Sequence, residues 1–205
     1  MDSRENMGKK KAGYEYLLAY KITVPIYDYT VEFCKRCSPY HPKNPKLPNY
    51  PQLSSPRTQD QMVQAARSGM TNIPEGNQQA SLEGYIKLVG VNKASLEELL
   101  KDYLSYARQN RLEVWERERV VREIGQLREV WDILKGTPTL PNLPNFPNLP
   151  KTPTEAVNLM ITLINQAIYL QKKLKESLEE KFIKEGGFRE NLFKKRLEFR
   201  QRKSY

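Results

Sequence analysis

Residues 82 to 106 carry two columns at seven-residue spacing: Leu82, Val89, Leu96, Tyr103 and Tyr85, Asn92, Leu99, Tyr106. Seven residues make close to two turns of α-helix, so both columns fall on one narrow stripe. Such a stripe calls for partner helices. Asn92 is the polar exception. Buried, it must be hydrogen-bonded, and it can set the register between helices. Just upstream, residues 57 to 73 read as a second helix, rich in small residues (Ala65, Ala66, Ser68, Gly69) that let a neighbour come close. Pro74, Glu75, Gly76 and Asn77 read as the turn between the two, and Ser81 as an N-cap without the full capping box, since Gly84 holds the fourth position.

The same stretch carries a motif. Gln61, Ala65, Ser68, Asn72, Ile73, Glu75 and Gly76 are followed by Ala94, Ser95, Leu96, Glu97, Glu98 and Leu99. This run resembles a four-helix-bundle family. It includes the proteins encoded in intervening sequences of bacterial large-subunit ribosomal RNA and the accessory variability determinant of diversity-generating retroelements. Pro74 departs from the pattern, standing where the family more often has a small helix former. Residues 158 to 200 resemble a longer subgroup that adds a basic suffix after the bundle. The resemblance implies a homo-oligomeric ring, typically a pentamer, and work alongside a reverse transcriptase.

The rest of the chain is read in order. Residues 1 to 13 form a basic arm. The bundle domain then spans residues 14 to 186. Its first helix starts near Tyr14, with columns Leu17, Val24, Val31 and Tyr20, Tyr27, Cys34, and Pro25 kinks it. Pro39, Pro42, Pro45, Pro48 and Pro51 recur every third residue in a first Pro-rich loop (39–56), the period of polyproline II. Residues 114 to 134 form an extra helix inserted before the last bundle helix, packed on the outside of the bundle or against a neighbouring subunit. A second Pro-rich loop (137–153) repeats Pro141-Asn142-Leu143, Pro144-Asn145-Phe146 and Pro147-Asn148-Leu149. The simpler reading is a low-complexity linker; the alternative is an extended strip whose Leu140, Leu143, Phe146 and Leu149 edge docks on the bundle or a partner. The last bundle helix begins near Thr154 and stops at Gly186-Gly187. The suffix (187–205) interleaves Arg189, Lys194, Lys195, Arg196, Arg200, Arg202 and Lys203 with Phe188, Leu192, Phe193, Leu197 and Phe199, as a short basic amphipathic helix would. The expected fold is all-α: an antiparallel four-helix bundle with a helical insertion, two Pro-rich loops and a suffix helix.

Chemistry is sparse. Cys34, Cys37 and His41 invite a metal reading, but structural zinc wants four ligands and the chain has no other Cys or His. The two cysteines are therefore read as a core residue and a helix-end residue, with no metal and no cofactor. No nucleotide-binding loop is present, and one histidine leaves little room for a His-based triad. Glu75 is read as a turn residue rather than an acid catalyst. An enzyme is not expected. No run approaches the about 20 apolar residues of a membrane span, and the N-terminus lacks a signal-peptide core, so a cytoplasmic protein with reduced thiols is expected. Lys plus Arg is 34 against 24 Asp plus Glu, a formal charge of +10, which directs attention to polyanions. The expected function is a non-catalytic nucleic-acid-binding accessory, with RNA favoured. Its phosphate contacts are drawn from Arg57, Arg67, Lys93, Lys101, Arg108, Arg189, Lys194, Lys195, Arg196, Arg200, Arg202 and Lys203. The alternative is a self-assembling scaffold that recruits a protein through its Pro-rich strips or its suffix.

Overall fold

The computed structural model describes residues 13–38, 50–138 and 145–202. The basic arm up to residue 12, His41, the prolines at 39, 42, 45 and 48, the first part of the second Pro-rich repeat (Leu140 to Pro144) and Lys203 lie outside the described residues. A 3₁₀ turn, Gly13–Tyr16, leads into α1 (Leu18–Lys21) and α2 (Thr23–Cys37). Then come α3 (Pro56–Asn77), α4 (Leu82–Gln109), α5 (Arg117–Glu123), α6 (Gly125–Gly136), α7 (Pro153–Glu185) and α8 (Phe188–Arg202). No strand occurs among the described residues.

Helices α2, α3, α4 and α7 form an antiparallel four-helix bundle, each packed on two of the others. The pairing is legible residue by residue. Cys34, late in α2, meets Gln59, early in α3. Asn158, early in α7, accepts from the Trp115 N–H at 2.7 Å just past the end of α4. The α4 stripe is buried as its spacing requires: Val89, Asn92, Leu96, Leu99 and Tyr103 are fully enclosed and Tyr106 nearly so. Asn92 donates to the Gly69 carbonyl at 2.6 Å, pinning α4 to α3. Less than one turn along α4, Ser68 and Ser95 are hydrogen-bonded at 2.9 Å, and Asn72 donates to Ser68 at 2.9 Å. The motif residues thus form a polar ladder between two helices that small side chains hold close. At Gly76 an added Cβ would overlap the Tyr85 ring, so this position needs glycine for space.

Several expected boundaries shift. Helix α3 does not stop at Ile73; it runs through Pro74 to Asn77. Proline there removes one backbone bond close to the helix end, and the approach of Gly76 to Tyr85 holds the extra turn in place. At the start of the chain the break lies at Ile22, and Pro25 sits in the first turn of α2, where its missing N–H matters little. The buried face here is Ile22, Ile26, Tyr29, Phe33, Cys34 and Cys37; of the expected columns Cys34 is enclosed, while Leu17, Tyr20, Val24, Tyr27 and Val31 are only half-buried. The insertion is two helices, not one. Ile124, buried with φ −104° and ψ 93°, ends α5 and begins α6. The last bundle helix is capped by Thr152, whose side chain accepts from the Glu155 N–H at 3.2 Å.

Loops are tied down by two buried cations. Arg36 donates to the Tyr50 hydroxyl and the Pro150 carbonyl, each at 2.8 Å, and pairs with Glu32. Lys21 donates to the carbonyls of Leu134 (2.6 Å) and Thr137 (2.9 Å), anchoring the end of α6, and burial lowers its pKa. The Pro147 carbonyl accepts from Tyr29 at 2.7 Å, and Leu149 is buried. Residues 145–150 are therefore a docked strip rather than a free linker.

One residue is held in a costly conformation. Arg111 has φ 55°, in the left-handed region, and closes a Schellman motif at the end of α4: its N–H reaches the Arg108 carbonyl (3.3 Å) and the Leu112 N–H reaches Ala107 (2.8 Å). Glycine is free of the side-chain penalty there. Relief of the about 1–2 kcal/mol left-handed penalty outweighs the about 0.4–1 kcal/mol of unfolded-chain entropy that glycine adds, so Arg111→Gly should raise unfolding stability by up to about 1 kcal/mol, seen as a higher urea midpoint with an unchanged slope.

Candidate nucleic-acid interface

Helix α8 is where the chain concentrates net positive charge. Gly186, with φ 77°, ends α7; its N–H still bonds the Phe182 carbonyl at 2.9 Å. The Gly187 N–H then donates to Glu190 at 3.2 Å, and Asn191 Nδ2 to the Gly186 carbonyl at 3.3 Å, so the next helix is capped as it starts. Over Phe188–Arg202 stand six cations (Arg189, Lys194, Lys195, Arg196, Arg200, Arg202) against two carboxylates, Glu190 and Glu198. Glu190 in the first turn and Arg200 and Arg202 in the last complement the helix dipole. No residue of α8 is buried.

The expected single apolar face is not there. At about 100° per residue, Phe188, Leu192 and Phe199 share one side while Phe193 and Leu197 lie across from it. All five are exposed. Cations fill the arcs between. The suffix is a helix with aromatic and basic side chains interleaved all round.

The cations expected on the bundle itself are more scattered. Arg67, Lys101 and Arg108 are exposed on α3 and α4. Lys93 is paired with Glu97 at 3.0 Å. Arg57 opens a groove between α3 and α4 that also holds Asp60, Glu98 and Asp102. Burial, and then Glu98, raise the Asp102 pKa. Three carboxylates beside one guanidinium make that groove a poor seat for phosphate. Beyond Gln171 the surface of α7 is laced with Lys–Glu pairs, such as Lys175–Glu179 at 3.4 Å and Lys184–Glu180 at 2.6 Å, leaving little net field.

A second concavity, of about 840 Å³, lies between α6 and α7 and escaped the sequence reading. Trp115, Trp131 and Tyr169 line it with Arg117, Lys135 and Gln166. Residues that far apart in the chain share no period that would bring them together. The one available signal was that both tryptophans fall in or beside the insertion.

Cys34 and Cys37 are free thiols in the core. Burial pushes both up to about 12, helped at Cys34 by Cys37, Asp102 and Asp60 and opposed at Cys37 by the hydrogen bond to Tyr106. A thiol neutral when folded but ionised from pH 9 when unfolded stabilises the fold below pH 9, and that contribution is lost as pH rises toward 12. At pH 8 the thiolate fraction is on the order of one in ten thousand. Native protein should therefore resist iodoacetamide at pH 8 and take up two labels only when unfolded, read by mass spectrometry. Among the described residues no group of three or more His, Cys, Asp or Glu is placed to hold a metal ion. No helix among them is long and apolar enough to cross a membrane.

Fold and surface together define a four-helix-bundle protein with an appended cationic helix that has no buried residue. No family model, no curated protein and no solved structure matches the chain.

Proposed function

We propose that this protein is a non-catalytic nucleic-acid-binding accessory that holds RNA, or an RNA–DNA hybrid, through its phosphates. The observation that carries this reading is α8: fifteen residues, none buried, with a charge excess of four cations. A helix this short is marginal alone in water, and this one gains nothing from a core. A polyanion supplies the counter-charge, and the arginines add forked donors suited to phosphate. Arg67, Lys101 and Arg108 extend the contact along the bundle. Lys93 and Arg57, each beside carboxylates, contribute less. With no base-reading module, discrimination between sequences is small. A ring of identical copies, as the family resemblance implies, multiplies the field; a reverse transcriptase is the protein partner that goes with that resemblance.

A second reading has its own observation. Phe188, Leu192, Phe193, Leu197 and Phe199 are all exposed on α8, and an adaptor recruiting a protein would use such side chains. Gel-shift titration with unrelated RNAs at low salt separates the two. The nucleic-acid reading expects shifts at similar protein concentrations for each RNA. Absence of any shift would leave the adaptor.

A further inference from the structure

We propose that the groove between α6 and α7 is a stacking seat for unpaired nucleobases, so that the protein prefers single-stranded nucleic acid to duplex. This rests on the nucleic-acid reading above and adds the strand form and the place. Three aromatic rings, Trp115, Trp131 and Tyr169, line one concavity. Two are fixed in advance. Trp131 donates from Nε1 to Gln166 at 2.8 Å. Trp115 donates to Glu113 at 3.1 Å and is covered by the Arg119 guanidinium, 4.2 Å from the ring, which Glu113 in turn holds at 2.7 Å. Tyr169 is 58% exposed, with the Lys173 ammonium 5.9 Å from its ring centroid. Rings held still lose little freedom on stacking, and every base offers a π face.

The charge at the groove selects the occupant. Its charged lining residues are Arg117 and Lys135, with no carboxylate among them. Neither is ion-paired among the described residues; Lys135 Nζ lies 5.7 Å from the Trp131 ring. A protein segment could fill an aromatic groove, but a lining of one charge sign suits a chain that carries a negative charge at each step. A single strand carries both the base faces that rings can stack on and the phosphates that cations can meet. In a duplex the base faces are stacked on each other and cannot enter.

Both of the chain's tryptophans line the groove, so intrinsic fluorescence reports on it directly. The test titrates the full chain with short oligouridylate, an RNA duplex and inorganic polyphosphate, following tryptophan emission and, in parallel, anisotropy of labelled probes. Oligouridylate should quench the emission while polyphosphate, bound through α8, should not. Tyr169→Ala should weaken oligouridylate binding about 5- to 150-fold and leave duplex binding unchanged. Tyr169→Phe, which keeps the ring, should restore it. Tyr169 is exposed, so neither variant disturbs the core. Oligouridylate binding with unchanged emission and an unaffected Tyr169→Ala variant would overturn the stacking seat while leaving the nucleic-acid reading standing. Emission that changes with protein concentration alone would give the groove to a second copy of the chain and overturn it too. Failure of all three probes to bind at low salt would remove the underlying reading itself.

Discussion

Phe33→Ala should lower unfolding stability by about 3–5 kcal/mol. The ring is fully buried where α2 meets α4 and the first Pro-rich loop returns. It contacts three tyrosines, with centroids 4.9 Å from Tyr103, 5.0 Å from Tyr106 and 5.4 Å from Tyr50, all tilted or edge-on. Those tyrosines cannot collapse into the vacated space. Tyr103 donates to Thr30 at 3.2 Å and Tyr106 to the Pro51 carbonyl at 2.8 Å, so moving either ring breaks a hydrogen bond. Such a loss is a large share of the about 5–15 kcal/mol that holds a typical domain together. It should appear as a fall in melting temperature of about 6–20 °C by circular dichroism. Phe199→Ala removes the same ring from α8, where it is 60% exposed. That change should stay within about 0.5 kcal/mol. Equal losses from the two variants would mean that the aromatic cluster around Phe33 is not the centre of the core.

Ending the chain at Gly187 should separate binding from folding. Nothing in α8 is buried, so the melting temperature of the remaining bundle should shift little. Seven cations leave, the six of α8 and Lys203 beyond it, and counterion release makes each phosphate contact count most at low salt. Affinity for RNA near 0.1 M salt should fall about 10²–10⁴-fold. An unfolded truncation product would give α8 a structural role instead. Unchanged affinity would place the phosphate contacts on the exposed cations of α3 and α4.

Much of the fold was legible because α4 is unambiguous. Its apolar residues share one stripe, and Asn92 could only be where its amide finds a partner; Gly69 supplies it. Helix α2 was rotated in the sequence reading because apolar residues surround it. Leu17, Val24 and Val31 keep a seven-residue period, yet Ile22, Ile26, Tyr29 and Phe33 are the side chains enclosed. The break at Ile124 was missed because the apolar spacing continues across it into α6. Lys21 and Arg36 were missed for another reason. A cation in sequence defaults to the surface, and what permits its burial here is a set of loop and helix-end carbonyls and a tyrosine brought in from 14 to 116 residues away. Of the candidate interface, the charge of α8 was legible and its lack of an apolar face was not. The aromatic groove was invisible, since α6 and α7 meet only through the tertiary fold.

The most direct test is the slope of log affinity for a generic single-stranded RNA against log salt concentration, measured on the full chain. Six cations on α8, at about 0.7 each for a single strand, predict a slope of about −4, steepened further by Arg67, Lys101 and Arg108. Binding that is undetectable at low salt, or a slope near zero, would contradict the claim that a packed bundle holds out an exposed cationic helix to grip phosphates.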